Sequence, residues 1–421
     1  MKMAGKKYLK HRTKKFVVDS FKKINKNSTP ILFYALALII IITGSYSLLL
    51  NNENVSLYVS QLAGVSAGFS SNLNVGTINI RAIVVNIDEL GNMYGSYGMP
   101  FTQSKLSEVD QALKGLNKFV KQSSYINAQL NWNISGVYEL GSGVCNHSSY
   151  QDKVNDLIQR ALTIEDKKNP IPDHSYFMIV HPMPDCGDGE TWTFEGRGTF
   201  TPYTLNGRVV NLRGVHISDL YERYLFHEFG HSLGYKTNQG IGHPSYLKCS
   251  ITKTNDKVKI DFSGDCSDLP TTEMPLYTVM SPSGNLSDYS AIEKELIGWL
   301  IEPNIITIKS GDNVYTLSPL EQNNPGLRAI KITIPNTNYI VYISFRQPAG
   351  YIYPTTPSNK PNGVILDVYN TDRLTDSFLV TNNLNKDNPL QIGIPYKLVN
   401  GPTITVKSIV NNLATVKISF N

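Results

Sequence analysis

Residues 227–231 read His-Glu-Phe-Gly-His, a run that sets two imidazoles four positions apart with a carboxylate beside the first. In a helix of about 3.6 residues per turn, His227 and His231 lie on one face, close enough to bind the same metal ion. Glu228 lies about 100° around the helix, so its carboxylate can reach the site without ligating the metal. The run therefore predicts a helix that carries a metal site.

The flanking residues place both histidines on the inward side of this helix. Leu220 and Tyr224 recur at helical spacing with His227 and His231, and an unpaired polar ring on such a stripe is costly. A metal ion would satisfy the rings, and neutral imidazole is a good zinc ligand. The alternative is a helix with two half-buried structural histidines and a surface glutamate. Gly234 follows where the helix could end with a positive φ.

A catalytic zinc site needs a third protein ligand. Zinc that keeps an open position lowers the pKa of a bound water to about 7, and Glu228 would then act as the general base. After the helical pair the chain contains one more histidine, His243, which is the first candidate. Glu293 and Glu295 are the alternatives, although an exposed salt bridge is the ordinary role of such glutamates. The expected metal is one catalytic Zn²⁺.

The formal charge of +5 is concentrated at the N-terminus, because residues 1–30 hold ten Lys or Arg and one acid, Asp19. Residues 31–50 follow without a charge and are long enough to cross a hydrocarbon core of ~30 Å. A retained signal anchor with a cytoplasmic N-terminus is favoured, since the basic region is long and no Ala-x-Ala-like site follows. A cleaved signal peptide, giving a secreted protein, is the alternative. Nucleic-acid binding has little support, because the apolar span follows the basic run directly.

The cysteines agree with an exported protein. All of them fall after the apolar span, at Cys145, Cys186, Cys249 and Cys266, and an even number suits an oxidising compartment. Proximity in sequence favours the pairs Cys249–Cys266 and Cys145–Cys186, although four cysteines allow three connectivities. A zinc site made of all four thiolates is disfavoured, because no Cys-x-x-Cys spacing occurs.

A length of 421 residues suggests two domains plus an appendage. Residues 51–76, rich in Asn, Ser and Gly, are interpreted as a stalk. Over residues 77–234, strands alternate with helices, which predicts a layered α/β sheet with the metal-binding helix packed against it, and the domain that contains them is expected to span residues 77–300. Residues 301–421 alternate with period two between Asn, Pro and Gly turns, which predicts an all-β sandwich. The expected strands are 78–87, 128–140, 176–180, 330–334, 339–345, 364–369, 404–406 and 414–420, and the expected helices include 106–120, 154–162 and 219–234.

Beyond the helix, the chain resembles the gametolysin-type zinc metallopeptidases of the metzincin clan. Residues 242–249, Gly-His-Pro-Ser-Tyr-Leu-Lys-Cys, have the form of that family's Gly-His-Ala-Ser-like turn with a cysteine soon after. The clan pattern H-E-x-x-H-x-x-G-x-x-H would put the third histidine at Thr237, so the match requires residues 235–240 to be an insertion. Extra loop residues cost little closure entropy, so His243 stays the expected ligand.

Later segments extend the resemblance to about residues 78–421. Residues 273–280 are similar to the family's Met-turn, with Thr278 where an aspartate is usual, and residues 289–300 are similar to the helix that follows the active site. The β region also fits, through residues 345–348 and 362–365, which are similar to a module found downstream in many relatives. The resemblance implies a metzincin-like catalytic domain, a protein or peptide substrate, and a Met280 that supports the metal site without ligating.

The expectation is a membrane-anchored, extracellular zinc endopeptidase in which Glu228 activates water and later passes its proton to the leaving amine. The alternative is a cell-surface binding or adhesion protein with a degenerate metallopeptidase fold, in which the sandwich does the binding. Tyr277 and Tyr289 are weak candidates for stabilising the oxyanion. The upstream histidines are expected to be structural or solvent-facing, namely His147, His174, His181 and His216.

Overall fold

The computed structural model describes residues 74–88, 100–182, 186, 194–233, 242–254, 256–263, 266–268, 278–281, 287–347, 362–372, 377–381 and 389–420. Residues 72–421 form one compact unit. The predicted basic segment, the predicted membrane span 31–50 and most of the predicted stalk lie outside the described residues. Among the residues that are described, no helix is both long and apolar enough to cross a membrane.

A five-stranded mixed sheet forms the first half of this unit. Its strand order is β2-β1-β3-β5-β4, with β4 antiparallel to β5 and the other neighbours parallel. From Ala82 onward both faces of β1 are buried, which explains its unbroken apolar run. The strands are β1 (Gly76–Asn86), β2 (Ala128–Glu139), β3 (Tyr176–Val180), β4 (Phe194–Leu205) and β5 (Arg208–Ile217).

Helices cover both faces of this sheet. Helices α1 (Lys105–Ser123) and α3 (Glu222–Ser232) share an apolar core with one face, and α2 (Tyr150–Lys168) shares a second core with the other face. The short helix α4 (Ala291–Ile297) contributes Ile297 to the first core. The predicted layered α/β arrangement is therefore confirmed, with the helix that carries residues 227–231 packed against the sheet. The β4–β5 hairpin was not predicted from the sequence.

Two further sheets share one apolar core in the second half of the unit. Their strand orders are β10-β12-β13-β14-β15-β6-β9 and β11-β18-β17-β16-β8-β7. The described part of residues 301–421 contains strands and no helix, as the period-two pattern predicts. The strands are β6 (Ser245–Lys248), β7 (Ser250–Lys253), β8 (Val258–Asp261), β9 (Ser267–Asp268), β10 (Ile305–Thr307), β11 (Asp312–Leu317), β12 (Ala329–Thr333), β13 (Tyr339–Arg346), β14 (Gly363–Asn370), β15 (Ser377–Thr381), β16 (Pro395–Leu398), β17 (Thr403–Val410) and β18 (Leu413–Ser419).

The two sheets extend across the predicted domain limit at residue 300. Strand β6 pairs in parallel with β15, and β8 pairs in parallel with β16. The chain that follows α3 therefore enters the second half of the fold, adds β6–β9 to its sheets, and then returns to α4. Period-two patterns do not reveal that β6–β9 pair with strands beyond residue 300, because a short strand shows the same alternation whichever strand it pairs with.

The folded region begins earlier than predicted, since Asn74, placed in the stalk by composition, is fully buried. Its side-chain amide donates to the carbonyls of Leu233 and Ile297 at 2.7 and 3.2 Å, and its Oδ1 accepts from the Tyr176 hydroxyl at 2.6 Å. The Trp299 indole N–H donates to the backbone carbonyl of Asn74 at 2.7 Å. Asn74 thus ties the end of α3 to the end of α4.

Two disulfides join Cys145 to Cys186 and Cys249 to Cys266, the pairs predicted from proximity. The first connects a 3₁₀ turn, Val144–Asn146, with the segment before β4, and the second lies among β6–β9. Disulfides persist in oxidising environments, so both are compatible with an extracellular protein.

Candidate metal centre

Three imidazoles converge where α3 meets the segment that leads into β6. His227 and His231 lie four residues apart on α3, with 3.2 Å between their Nε2 atoms. The Nε2 of His243 lies 3.1 Å from that of His227 and 3.0 Å from that of His231. Within the described part of the chain, these residues form a group that could hold a metal ion.

The spacing of the three nitrogens fits a small divalent cation. Tetrahedral zinc with Zn–N bonds of 2.0–2.1 Å separates its ligand nitrogens by about 3.3–3.4 Å, close to the distances between these rings. Three histidines with an open fourth position form one of the known catalytic zinc ligand sets. The donor set and its spacing therefore both fit zinc.

The protonation state of His227 also fits ligation. Its Nδ1 lies 2.8 Å from the Val279 carbonyl, which only accepts hydrogen bonds, so Nδ1 carries the proton and Nε2 presents a lone pair. Burial, together with nearby His243 and Arg223, lowers the pKa of His227 to about 4 against the opposing effect of the Val279 carbonyl. The ring is therefore neutral at pH 7, as a metal ligand must be.

Glu228 stands beside the three nitrogens without joining them. One carboxylate oxygen lies 3.9 Å from Nε2 of His227, and the residue is buried. The carboxylate is therefore near the three nitrogens, and its predicted role as the base that takes a proton from a water at the site stays a prediction.

The turn formed by residues 278–281 supports α3 from below. It supplies the Val279 carbonyl to His227, and its Met280 side chain is fully buried. A Cβ on Gly230 would lie 2.3 Å from Met280 Sδ and 2.9 Å from a ring carbon of Tyr289, far inside van der Waals contact. Gly230 is therefore what lets α3 approach this turn so closely, and Met280 packs against the helix, while its predicted support of a metal site stays a prediction.

Glu293, an alternative third ligand in the sequence, instead holds the 278–281 turn. It forms a capping box with Ser290 at the start of α4, where its Oε2 accepts from the Ser290 N–H at 2.6 Å. The same oxygen accepts from the Thr278 hydroxyl at 2.5 Å, and Thr278 in turn accepts from the Met280 N–H at 3.1 Å. Thr278 thus has a structural role at the position where the resemblance leads one to expect an aspartate.

Glu295 and Tyr289 also make contacts that do not fit the roles considered for them, which were a third metal ligand and an oxyanion-stabilising group. Both Glu295 oxygens accept from the Lys331 ammonium, at 3.0 and 3.1 Å, and one accepts from the Tyr342 hydroxyl. Tyr289 is fully buried and donates to the Phe226 carbonyl at 3.0 Å, so it is not available to an oxyanion. Tyr277, Gly234 and Thr237 lie outside the described residues.

The remaining described histidines do not join the cluster. His181 and His216 form a buried pair on β3 and β5, with 3.1 Å between His181 Nε2 and His216 Nδ1, and burial lowers the pKa of His181 to about 3. His147 and His174 lie near carboxylates at the surface, 3.8 Å from Asp156 and 3.4 Å from Asp173.

Sequence reasoning missed two residues that shape the site, Gly230 and Asn74. Gly230 carried a signal, because a glycine inside a helix costs about 1 kcal/mol relative to Ala and commonly marks a close approach of another segment. Asn74 carried none, since it lies in a polar stretch whose composition resembles a linker.

No protein-family model and no curated protein matches this chain. Among solved structures, a chain from the structure of a chaperone–substrate complex is 15% identical, with a TM-score of 0.24. The similarity covers 54% of this chain and 35% of that chain, so the present chain spans about a third of its length. A likeness this low carries no argument about fold or function.

Proposed function

We propose that this chain is a zinc endopeptidase of the gametolysin type, anchored in the membrane with its catalytic part outside the cell. The observation that carries the proposal is the convergence of three imidazole Nε2 atoms within 3.0–3.2 Å of one another, with the Glu228 carboxylate beside them. The adhesion-protein alternative rested on the displaced third histidine, and the nearness of His243 to the helical pair weakens that reason.

His227, His231 and His243 would hold the metal through their Nε2 atoms. Zinc bound here would polarise the carbonyl of the scissile peptide and lower the pKa of a coordinated water to about 7. Glu228 takes a proton from the attacking water onto a carboxylate oxygen as the new C–O bond forms. It then gives that proton to the amide nitrogen as the C–N bond breaks, so the two products are a carboxylic acid and an amine.

An edge strand beside α3 supports peptide binding. In the described part of the sheet, β4 is the last strand in the order, and α3 packs against both β4 and β5. The open side of an edge strand offers N–H and C=O groups with which an extended peptide can pair. A substrate aligned along β4 would pass the metal-binding helix with chain continuing on both sides, which favours cleavage within a chain.

The membrane anchor and the outward orientation belong to the same proposal. They rest on the uncharged residues 31–50, the basic residues 1–30 before them and the two disulfides in the folded unit.

The test combines zinc content with proteolysis, using the full-length protein in mild detergent after reconstitution with zinc. We expect about one zinc per molecule and cleavage of an unfolded protein such as reduced casein. Glu228→Gln should keep the zinc and lose about 10²-fold or more in rate, whereas His243→Ala should lose the zinc. His147→Ala, a change at a surface histidine, should alter neither.

Two results would contradict the proposal. Equal cleavage by wild type and Glu228→Gln would show that the activity has another source. Zinc binding by a wild type that cleaves no unfolded protein would instead favour the adhesion-protein alternative.

A further inference from the structure

Arg223 lies on the same face of α3 as the two helical histidines. Positions 223, 227 and 231 are spaced by four residues within the helix Glu222–Ser232, so Arg223 stands one turn, ~6 Å along the axis, before His227. Tyr224 stands in the same relation to Glu228. Both Arg223 and Tyr224 are partly exposed, whereas the helix is buried from Leu225 to Gly230. The N-terminal turn of α3 thus forms one rim of the metal site.

An aromatic pair lines this rim next to the guanidinium. The guanidinium carbon of Arg223 lies 5.4 Å from the centroid of the Tyr224 ring, within the range of a cation–π contact. Tyr224 meets the exposed Tyr221 edge to face, with 5.7 Å between centroids.

We propose that Arg223 binds a carboxylate of the substrate next to the scissile bond. This inference rests on the proposed peptidase function and gives it a substrate class, peptides with an acidic group beside the cleaved bond. A guanidinium presents a planar fork of donors that matches a carboxylate through two parallel hydrogen bonds, and such charge-assisted bonds are about twice as strong as neutral ones. The carboxylate belongs either to an Asp or Glu side chain or to a free C-terminus.

Peptide hydroxamates test the proposal without relying on cleavage. The hydroxamate binds the zinc and fixes the register, so the neighbouring residue can be varied alone. With full-length, zinc-loaded protein, we expect C-terminally amidated compounds with Glu next to the hydroxamate to bind about tenfold tighter than those with Gln. A second pair of compounds, with a neutral residue and either a free carboxylate or an amide at the C-terminus, separates the two sources.

Variants assign the preference to Arg223. Arg223→Gln should bring the affinity ratio of Glu to Gln compounds close to one, and Arg223→Lys should keep part of it, because the charge remains while the fork is lost. Arg223→Glu should favour a Lys compound over a Glu compound. Lys407→Gln, which removes an exposed charge from β17, is the matched control and should leave the ratio unchanged. Zinc content and thermal unfolding of each variant establish that it is folded.

The outcomes separate the two proposals. Equal affinity of wild type for the Glu and Gln compounds and for the free and amidated C-termini would overturn the role of Arg223 and leave the zinc peptidase intact. A preference that persists in Arg223→Gln would also overturn it. Failure of every hydroxamate to bind, together with absence of bound zinc, would contradict the metal site and therefore both proposals.

Discussion

Gly230 sets the distance between α3, which carries His227 and His231, and the 278–281 turn. Its missing side chain is replaced by Met280 Sδ and by the ring of Tyr289, which together fill the space under α3. Both are fully buried, and Tyr289 also donates to the Phe226 carbonyl of the same helix. The packing of Met280 and Tyr289 against Gly230 therefore holds α3 close to the 278–281 turn.

We expect Gly230→Ala to destabilise the protein by about 1–3 kcal/mol and to weaken zinc binding. Alanine normally favours a helix over glycine, but here its methyl group would overlap Met280 and force the helix away from the Val279 carbonyl. Urea unfolding and zinc competition with a chelator measure the two effects. Gly136→Ala, at a strand glycine with open space around its Cβ position, is the control. A Gly230→Ala protein more stable than wild type would rule out this account.

Two buried acids, Glu293 and Asp367, lie where α4 meets β14. Burial raises the pKa of Glu293 to about 7, with nearby Asp367 adding to the rise and Arg346 opposing it. Burial likewise raises the pKa of Asp367 to about 7, again against the effect of Arg346. One oxygen of each carboxyl has no hydrogen-bond partner among the described residues. Both groups are therefore more readily protonated in the folded chain than in the unfolded one.

This difference predicts that stability falls as pH rises. Between about pH 4 and 7 the folded chain binds more protons at these acids than the unfolded chain, so their contribution is fully present below about pH 4 and is lost as pH rises through about 7. Glu293→Gln and Asp367→Asn, which mimic the protonated forms, should each flatten the decline in unfolding free energy between pH 5 and 8. The gain over wild type at pH 8 is expected to be on the order of a few kcal/mol.

Urea unfolding at several pH values measures this dependence, with Glu108→Gln at an exposed position on α1 as the control. Parallel pH profiles for wild type and the two buried-acid variants would show that these carboxyls do not titrate abnormally.

Among the secondary-structure elements, α4 positions α3 through the 278–281 turn. Glu293 caps α4 and binds the Thr278 hydroxyl, Thr278 holds the Met280 N–H, and the turn presents the Val279 carbonyl to His227. Partners of this kind orient metal ligands, and their loss typically costs 10–100-fold in metal affinity or activity.

We therefore expect Thr278→Val, which keeps the shape but removes the hydroxyl, to weaken zinc binding by about tenfold. The Met280 N–H loses its acceptor and the turn is freed from α4, so the His227 ring is less well fixed. Chelator competition gives the affinity, and Thr333→Val at an exposed position of β12 controls for the substitution itself. An affinity within twofold of wild type would mean that the turn keeps its position without Thr278.

At the scale of the whole molecule, buried charges join the two halves of the described fold. The Lys294 ammonium donates to Asp288 at 2.5 Å, to the Ser123 carbonyl at 2.9 Å and to the Leu320 carbonyl at 3.3 Å, and both charged side chains are fully buried. Arg346 of β13 pairs with buried Glu321 and reaches the Asp288 carbonyl at 3.4 Å. The network connects α1, α4 and the second half, so the halves form one structural unit.

Lys294→Met should lower the free energy of unfolding by about 3–5 kcal/mol, because it leaves Asp288 buried without its cation. Lys331→Met, which breaks a partly exposed pair with Glu295, is the matched comparison and should cost about 1 kcal/mol or less. Chemical denaturation followed by tryptophan fluorescence reports both. If the two substitutions cost the same, the buried pair does not stabilise the junction.

Features that depend on local periodicity could be predicted from the amino-acid sequence alone. Helical spacing located α1, α2 and α3, with the predicted helix at 219–234 a few residues too long. Period-two alternation located β12, β13, β14 and β18 to within one residue at each end, whereas the predicted strand 404–406 covers only part of β17. The relation between His227 and His231 also followed from the sequence, because four residues in a helix leave their side chains little choice of relative position.

Contacts between residues far apart in the chain depend on how the whole chain packs, and local patterns did not predict them. His243 lies near the helical histidines although it follows His231 by 12 residues, and the length of a connecting segment constrains such a contact only weakly. The roles of Glu293, Thr278 and Asn74 depend on contacts between segments far apart in the chain. The sequence alone therefore offered Glu293 as an alternative ligand and placed Asn74 in a stalk. The placement of β6–β9 in the second half has the same cause, since pairing partners are chosen by packing of the whole chain rather than by the pattern within each strand.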